Sequence, residues 1–385
     1  MITCDALVIG GGPAGSACAW KLHQAGLDVL VMDKAAFPRD KVCAGWITPE
    51  VVRDLEIDLT DYRNGRTLQA ISAFRVGVIG DRDAVDVAYD HPVSYGIRRC
   101  EFDHYLLQRS RARLLLGRPA TRIRRDAGYW IVNDDVRASL LVGAGGHFCP
   151  VSRMVNGDAA PAPVVAAQEA EFVATPARAW LTAAERPELY FCADLKGYGW
   201  CFRKEEYLNV GFGRFDARAL PKATTAFVDY LKANGRIPPL ESWRWRGHAY
   251  LVAGARSRDA VADALMLVGD AAGLAFPRSG EGIRPAIESG LMAAATILEA
   301  DGRYSVENLT PYAHRLRARF GVGRVSQLLS RAVPERSAAA IGRWLIREPQ
   351  LARHLLLNRW FLQPMSDLPP TRVIPARAPS QPDAV

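Results

Sequence analysis

Four glycines fall within six residues at Gly10-Gly11-Gly12-Pro13-Ala14-Gly15, directly after an apolar run from Ala6 to Ile9 and directly before a stretch of helical period from Ser16 to Gln24. Few folds tolerate that spacing. In G-x-G-x-x-G, Gly10 permits the tight turn, Gly12 lets the backbone approach a pyrophosphate, and Gly15 lets helix and strand pack closely. The helix start, with Pro13 and Ala14, supplies N–H donors and the positive end of the helix dipole. A second apolar run from Asp28 to Met32 completes a βαβ unit. Asp33 ends that strand 18 residues after Gly15, where a carboxylate can accept both hydroxyl protons of an adenosine ribose, and Lys34 follows it. A glycine turn alone could be merely structural; strand, helix and acid together read as a nucleotide site.

NAD and FAD are both compatible with that unit, and a second segment separates them. Leu265-Met266-Leu267-Val268 is a buried-type strand that delivers Asp270 into the small-residue turn Gly269-Asp270-Ala271-Ala272-Gly273. A carboxylate there suits the hydroxyls of a ribityl or ribose chain beside a pyrophosphate. Pro277, Gly280 and Gly282 follow, and a helix is expected from Ile283 to Ala300. Glycines at a helix start let the backbone lie against a flat ring, and the helix dipole stabilises negative charge on a reduced isoalloxazine.

With GGGPAG, the Gly269-Asp270 turn, Pro277, Gly280 and Gly282, and Arg99 within Arg-Cys-Glu-Phe-Asp, residues 1 to 330 resemble the FAD-dependent oxidoreductases of the para-hydroxybenzoate hydroxylase superfamily. Two narrower features resemble its geranylgeranyl reductase family. Lys41-Val42-Cys43-Ala44-Gly45 is similar to the family's Lys-x-Cys-x-Gly segment, which implies that Cys43 orients the flavin or faces the substrate; from the residue alone, a free Cys reads as a small buried thiol. Tyr198-Gly199-Trp200-Cys201-Phe202-Arg203-Lys204, followed by Asn209-Val210-Gly211-Phe212-Gly213, is similar to the family's substrate-lining hairpin, with Arg203 in place of Pro. Alternation puts Tyr198, Trp200 and Phe202 on one strand face, an aromatic wall or equally a packed core face. Cys43, Tyr198, Trp200 and Phe202 are therefore the expected substrate-side set. The superfamily's mid-chain Gly-Ala-Asp-Gly reads Gly143-Ala144-Gly145-Gly146 here, so the electron donor is open among NAD(P)H, ferredoxin and reduced flavin.

The expected fold is α/β: a Rossmann-like FAD-binding domain (1–70, 98–160 and 255–310) interleaved with a mixed, mainly antiparallel β-sheet substrate domain (71–97 and 161–254), then a helical segment (311–368) and a disordered tail (369–385). Helices are also expected over Glu101–Leu115 and Thr224–Ala233, and strands over Ala70–Ile79 and Trp243–Tyr250. Seven scattered Cys form no CxxC pair and the His residues no ligand spacing, so neither a disulfide framework nor a metal is indicated. Between Arg315 and Trp360 stand ten Arg against Glu335 and Glu348. Without aromatic platforms or a helix-turn-helix pattern this does not read as nucleic-acid binding. Leu351–Leu362, with Arg353 and Arg359 among apolar residues, reads either as a basic amphipathic helix resting on a membrane or as a helix packed on the catalytic body. With no spanning apolar run and no signal-peptide pattern, the expected location is the cytoplasm, or the inner face of the membrane as a peripheral protein.

The expected function is reduction of carbon–carbon double bonds in an isoprenoid or other apolar, lipid-like substrate by hydride from reduced flavin, with an electron-transfer partner where the nucleotide is not the donor. The alternatives are a flavin monooxygenase acting on an aromatic or polyketide-like substrate and, more distantly, a non-catalytic flavin-binding sensor or membrane adaptor.

Overall fold

The strands of the chain sort into three sheets. The computed structural model describes residues 1–81, 83–157, 164–173, 182–237, 244–253, 258–277, 279–321 and 335–362. In chain order the strands are β1 Ile2–Ile9, β2 Val29–Met32, β3 Trp46–Ile47, β4 Leu68–Ile71, β5 Ala73–Val78, β6 Val85–Ala88, β7 Ser94–Ile97, β8 Arg113–Leu115, β9 Ile123–Asp126, β10 Tyr129–Val132, β11 Val136–Gly143, β12 Val164–Val173, β13 Glu188–Phe191, β14 Gly197–Lys204, β15 Tyr207–Arg214, β16 Arg246–Leu251, β17 Val261–Ala262 and β18 Leu265–Leu267. The helices that matter below are α1 Pro13–Gln24, α2 Arg99–Arg109, α3 Leu220–Ala233, α4 Ile283–Glu299, α5 Val306–Phe320 and α6 Glu335–Arg347.

The first sheet runs β17-β18-β11-β1-β2-β8, with β10 and β9 joined to β11. From β18 to β8 every pairing is parallel. β2 and β18 are buried at each residue, the pattern of strands covered on both faces. The expected βαβ unit is β1-α1-β2, and the second apolar run is β18, in register with Leu141–Gly143 of β11. α1 and α4 meet almost backbone to backbone, because a Cβ on Gly290 would run into the Ala14 carbonyl.

The second sheet has the order β16-β12-β15-β14-β13-β5-β6 and is antiparallel except for β13 beside β5. One face buries Trp200 and Phe202 with Trp46, Phe74 and the C-terminal Ile346, Leu356, Leu357 and Phe361. The other buries Cys201, Val210 and Phe212 against Phe227, Val228 and Leu231 of α3. A small third sheet, β3-β7-β4, lies on neither side of the expected boundary at residue 70, since it takes strands from both.

Some expectations need correction. Ala70–Ile79 is two strands, β4 in the small sheet and β5 in the large one, broken at Ser72. The helix expected to reach Leu115 stops at Arg109; Arg111 takes a left-handed φ of 54° and the chain enters β8. Ala352–Leu362 is π-helical and buries Ala352, Leu356, Leu357, Phe361 and Leu362, so its apolar side is spent on the protein core and not on a membrane. The 369–385 tail and the Trp243 start of the strand ending at Tyr250 lie outside the described residues. Among the described residues no helix is long and apolar enough to cross a membrane.

Candidate functional site

The glycine loop has the geometry its spacing demands. Gly10 has a φ of 116°, and a Cβ on Gly15 would strike the Gly10 carbonyl and press on Ala144. Gly12 differs: a Cβ there would meet only the Arg39 guanidinium, at 3.4 Å. The loop therefore presents backbone to open space with a cation at its edge. No side chain caps α1, whose first turn begins at Pro13 and Ala14 after Gly12, so its N–H groups are available to an anion. Asp33 holds the loop by accepting the Gly11 N–H through Oδ2 and the Ala35 N–H through Oδ1, both at 2.8 Å. Lys34 is exposed.

The second station closes on the first. Gly269, at a φ of 60°, is wedged between Ala14 of α1 and Ala286 of α4, and its N–H donates to Ser289 Oγ at 2.9 Å. A Cβ on Gly282 would come within 3.3 Å of Asp270 Oδ1. α4 starts at Ile283 with no cap from Gly282, but Glu281 Oε1 accepts the Arg284 N–H at 3.3 Å. Asp270 faces His248 Nε2 at 3.9 Å, and His248 Nε2 in turn lies 2.6 Å from Lys41 Nζ. Burial raises the Asp270 carboxyl, but His248, Lys41 and Arg99 outweigh it and hold the group below the usual carboxylate range. Burial drives the Lys41 ammonium down to about 8 against the pull of Asp270. Arg99 forks onto Asp103 with two 2.8 Å bonds, and Arg39 shares that carboxylate at 3.2 Å. The uncapped start of α1, an open glycine face, an ionised Asp and nearby cations suit a dinucleotide with a pyrophosphate.

Beside this lies an apolar cavity of about 240 Å³. Its walls include Tyr198, Trp200 and Gly213 of the second sheet, Tyr250 of β16, and Pro277, Ser279 and Gly280 from the segment that leads into α4. Tyr198 donates its hydroxyl to the Ser279 carbonyl, which ties the sheet to that segment. Gly280 is obligatory, at a φ of 68° with the Tyr250 hydroxyl where a Cβ would be. Leu345, Ile346, Leu355, Leu356 and Trp360 line it from the C-terminal helices. Phe202 does not belong to it. It stacks on Trp46 at 5.1 Å, one strand row further along, so the expected three-aromatic wall has only two members on the cavity.

A second cavity, about 200 Å³, is lined by Asp40, Lys41, Cys43, Arg98, Arg99, Cys100, Glu169, Glu171, Arg244 and Arg246. Cys43 is thus brought beside Arg99 and Glu169, not into the apolar cavity. Its N–H donates to Glu169 Oε2 at 2.7 Å, and its carbonyl accepts from Asn209 Nδ2 at 3.3 Å. Burial pushes Glu169 up to about 7, against Lys204, Asn209 and the Cys43 N–H. The two cavities share one sheet face. Val165 pairs with Tyr250 at the apolar end, Ala167 with His248 next, and Glu169 with Arg246 at the charged end, a change of character over about 13 Å of strand.

Sequence reasoning missed Arg39, His248, Tyr250, Glu169 and the whole C-terminal wall. Only the first carried a local signal, as a cation shortly after β2; Glu169, His248 and Tyr250 are brought together by the pairing of β12 with β16, 77 to 85 residues apart, and the C-terminal wall comes from helices still further along the chain.

These features define an FAD-dependent oxidoreductase. The model of the NAD(P)-binding Rossmann-like domain matches residues 8–59. Menaquinone reductase of Mycobacterium tuberculosis is 29% identical over 326 residues, covering 78% of each chain. Geranylgeranyl diphosphate reductase of Rhodobacter capsulatus is 29% identical over 320 residues, 75% of this chain and 74% of its own. Among solved structures, a geranylgeranyl bacteriochlorophyll reductase-like protein of Thermoplasma acidophilum superposes with a TM-score of 0.75 at 21% identity, covering 94% of this chain and 97% of that one. Halogenase PltM, solved in complex with FAD, shares the fold at a TM-score of 0.68 and 17% identity, over 90% of this chain and 78% of its own. The chain is thus similar over about three quarters of its length to menaquinone and geranylgeranyl diphosphate reductases, and it shares its fold with a geranylgeranyl bacteriochlorophyll reductase-like protein.

Proposed function

We propose that the protein saturates carbon–carbon double bonds in an isoprenoid chain. The observation that carries this reading is the position of the apolar cavity, lined by Pro277, Ser279 and Gly280 ahead of α4 and by Tyr198, Trp200 and Tyr250. FAD, when bound and reduced, supplies hydride chemistry.

The chain's own residues do the rest. Gly10, Gly12, Pro13, Ala14 and Gly15 with the start of α1 would receive the pyrophosphate, Asp33 and Lys34 would face the adenosine end, and Arg99 and Asp270 would face the ribityl side. Pro277, Gly280, Gly282 and Ile283 would present backbone to the flat ring. Tyr198 and Trp200 orient the chain and exclude water, which fits a substrate with no polar handle along its length. Phe202 acts at one remove, by fixing Trp46. Cys43, on a loop held by Glu169 and Asn209, would orient the ring.

The test is anaerobic turnover of geranylgeranyl diphosphate by the dithionite-reduced holoprotein. The expected product has gained two hydrogens per reduced bond, and its yield is unchanged by the absence of oxygen. A product formed only in air and carrying an atom from labelled oxygen would replace this reading with monooxygenation. Repeating the reduction with NADPH in place of dithionite tests the donor: a bleached flavin spectrum assigns it to the nicotinamide, and an unchanged one points to ferredoxin or reduced flavin.

A further inference from the structure

Two residues of the apolar cavity are also strongly exposed: Phe215 at 45% and Leu355 at 39%. The cavity therefore reaches the surface between them, with Lys196 on the same rim. Beside that mouth, α6 contributes Gly342 and Leu345 to the lining and turns Ile341 and Trp344 outward, at 53% and 58% exposure. A Trp and an Ile three residues apart share one helix face. A side chain as large as Trp gains little from being that exposed in water, and Trp is the residue that partitions to the lipid–water boundary. The same stretch, 340–362, holds Arg343, Arg347, Arg353 and Arg359 against Glu348 alone. Arg343 and Arg347 reach Asp81 yet keep 40% and 51% of their side-chain surface in solvent.

We propose that the face formed by Ile341, Trp344, Phe215 and Leu355 seats on an anionic lipid bilayer, with the mouth of the apolar cavity opening into the acyl layer. The seat lies mainly on α6, whereas Leu351–Leu362 spends most of its apolar side on the core and adds only Leu355. Charge selects the occupant. A second copy of this chain paired through the same face would set the arginines against themselves, whereas anionic headgroups oppose them with the correct sign. The inference rests on the reading of the cavity as the site of an isoprenoid lipid, which would then enter from the membrane without crossing water.

The experiment is flotation of the full-length, flavin-loaded protein with vesicles of phosphatidylcholine alone and of phosphatidylcholine with phosphatidylglycerol. The protein is expected to float with the anionic vesicles and to be released by high salt. The double variant Ile341→Ser, Trp344→Ala is expected to lower the vesicle-bound fraction about tenfold, with bound flavin, melting temperature and turnover of detergent-dispersed prenyl substrate unchanged. Equal flotation of wild type and variant, or none with anionic vesicles, overturns the proposal. So does a variant that only changes a dimer into a monomer by light scattering, which would make the face a contact between copies. If the vesicle results are as expected but no prenyl substrate is reduced in detergent, the docking face stands and the reading of the cavity falls.

Discussion

The indole N–H of Trp200 donates to Asn209 Oδ1 at 2.7 Å. The same amide turns its nitrogen to the Cys43 carbonyl at 3.3 Å and to Glu169 Oε2 at 3.2 Å. One buried side chain thus links the wall of the apolar cavity to the loop that carries Cys43. Asn209→Leu strips partners from a buried donor and from a carbonyl, so the flavin-free protein is expected to lose about 1–3 kcal/mol of stability. Urea unfolding monitored by tryptophan fluorescence measures this, and a loss below a few tenths of that range would mean that the loop finds other partners.

Gly12 and Gly15 should fail in different ways. Gly12 has room for a side chain within the protein, while Gly15 would collide with the Gly10 carbonyl. Gly12→Val is therefore expected to fold with an unchanged circular dichroism spectrum and melt, yet to be purified without flavin absorbance. Gly15→Val is expected to destabilise the flavin-free fold itself. Equal flavin content in Gly12→Val and wild type would remove the loop from the cofactor site.

Gly213 offers a way to fill the apolar cavity without touching the nucleotide stations. A Cβ there meets nothing nearer than 3.8 Å, and the residue lines the cavity. Gly213→Leu should raise KM for a prenyl substrate about tenfold or more, on the scale of lost apolar contacts, while bound flavin per protein stays constant. Steady-state kinetics beside the visible spectrum separates the two effects.

Glu169 makes stability depend on pH in a direction opposite to that of an ordinary surface carboxylate. Its folded value lies near 7, above the ordinary 4.5, because burial disfavours the charge. The folded state therefore holds the proton more tightly than the unfolded chain. The contribution is complete below about 4.5 and is lost as the pH rises through about 7. In thermal melts of the flavin-free protein, wild-type stability minus that of Glu169→Gln should fall between those two values. A difference that is flat or rises with pH would show that Glu169 ionises freely in the fold.

Much of the nucleotide half was legible because its signals are local. A strand, four glycines and an Asp fix one another within 33 residues, and β18, parallel to β11 and β1 in one sheet, delivers the Gly269-Asp270 turn to the same edge as the first loop. The aromatic strand was legible as far as period 2 allows: alternation placed Tyr198, Trp200 and Phe202 on one face, but only the curvature and crossing of the sheets decides that Phe202 stacks on Trp46 while the other two line a cavity. The charged cavity was hidden for a different reason. Glu169 and Arg246 are paired across β12 and β16, and neither has a neighbour in sequence that betrays the other. The amphipathic pattern of Leu351–Leu362 recorded an apolar side correctly without revealing what covers it.

The lining of the apolar cavity closes only when residues 342 to 360 dock on a sheet whose strands were completed a hundred residues earlier. Synthesis therefore makes the strands that carry Tyr198 and Trp200 well before the segment that encloses them. Exchange of that closing segment between relatives would refit the enclosure to a longer or bulkier chain without disturbing the machinery that carries the electrons.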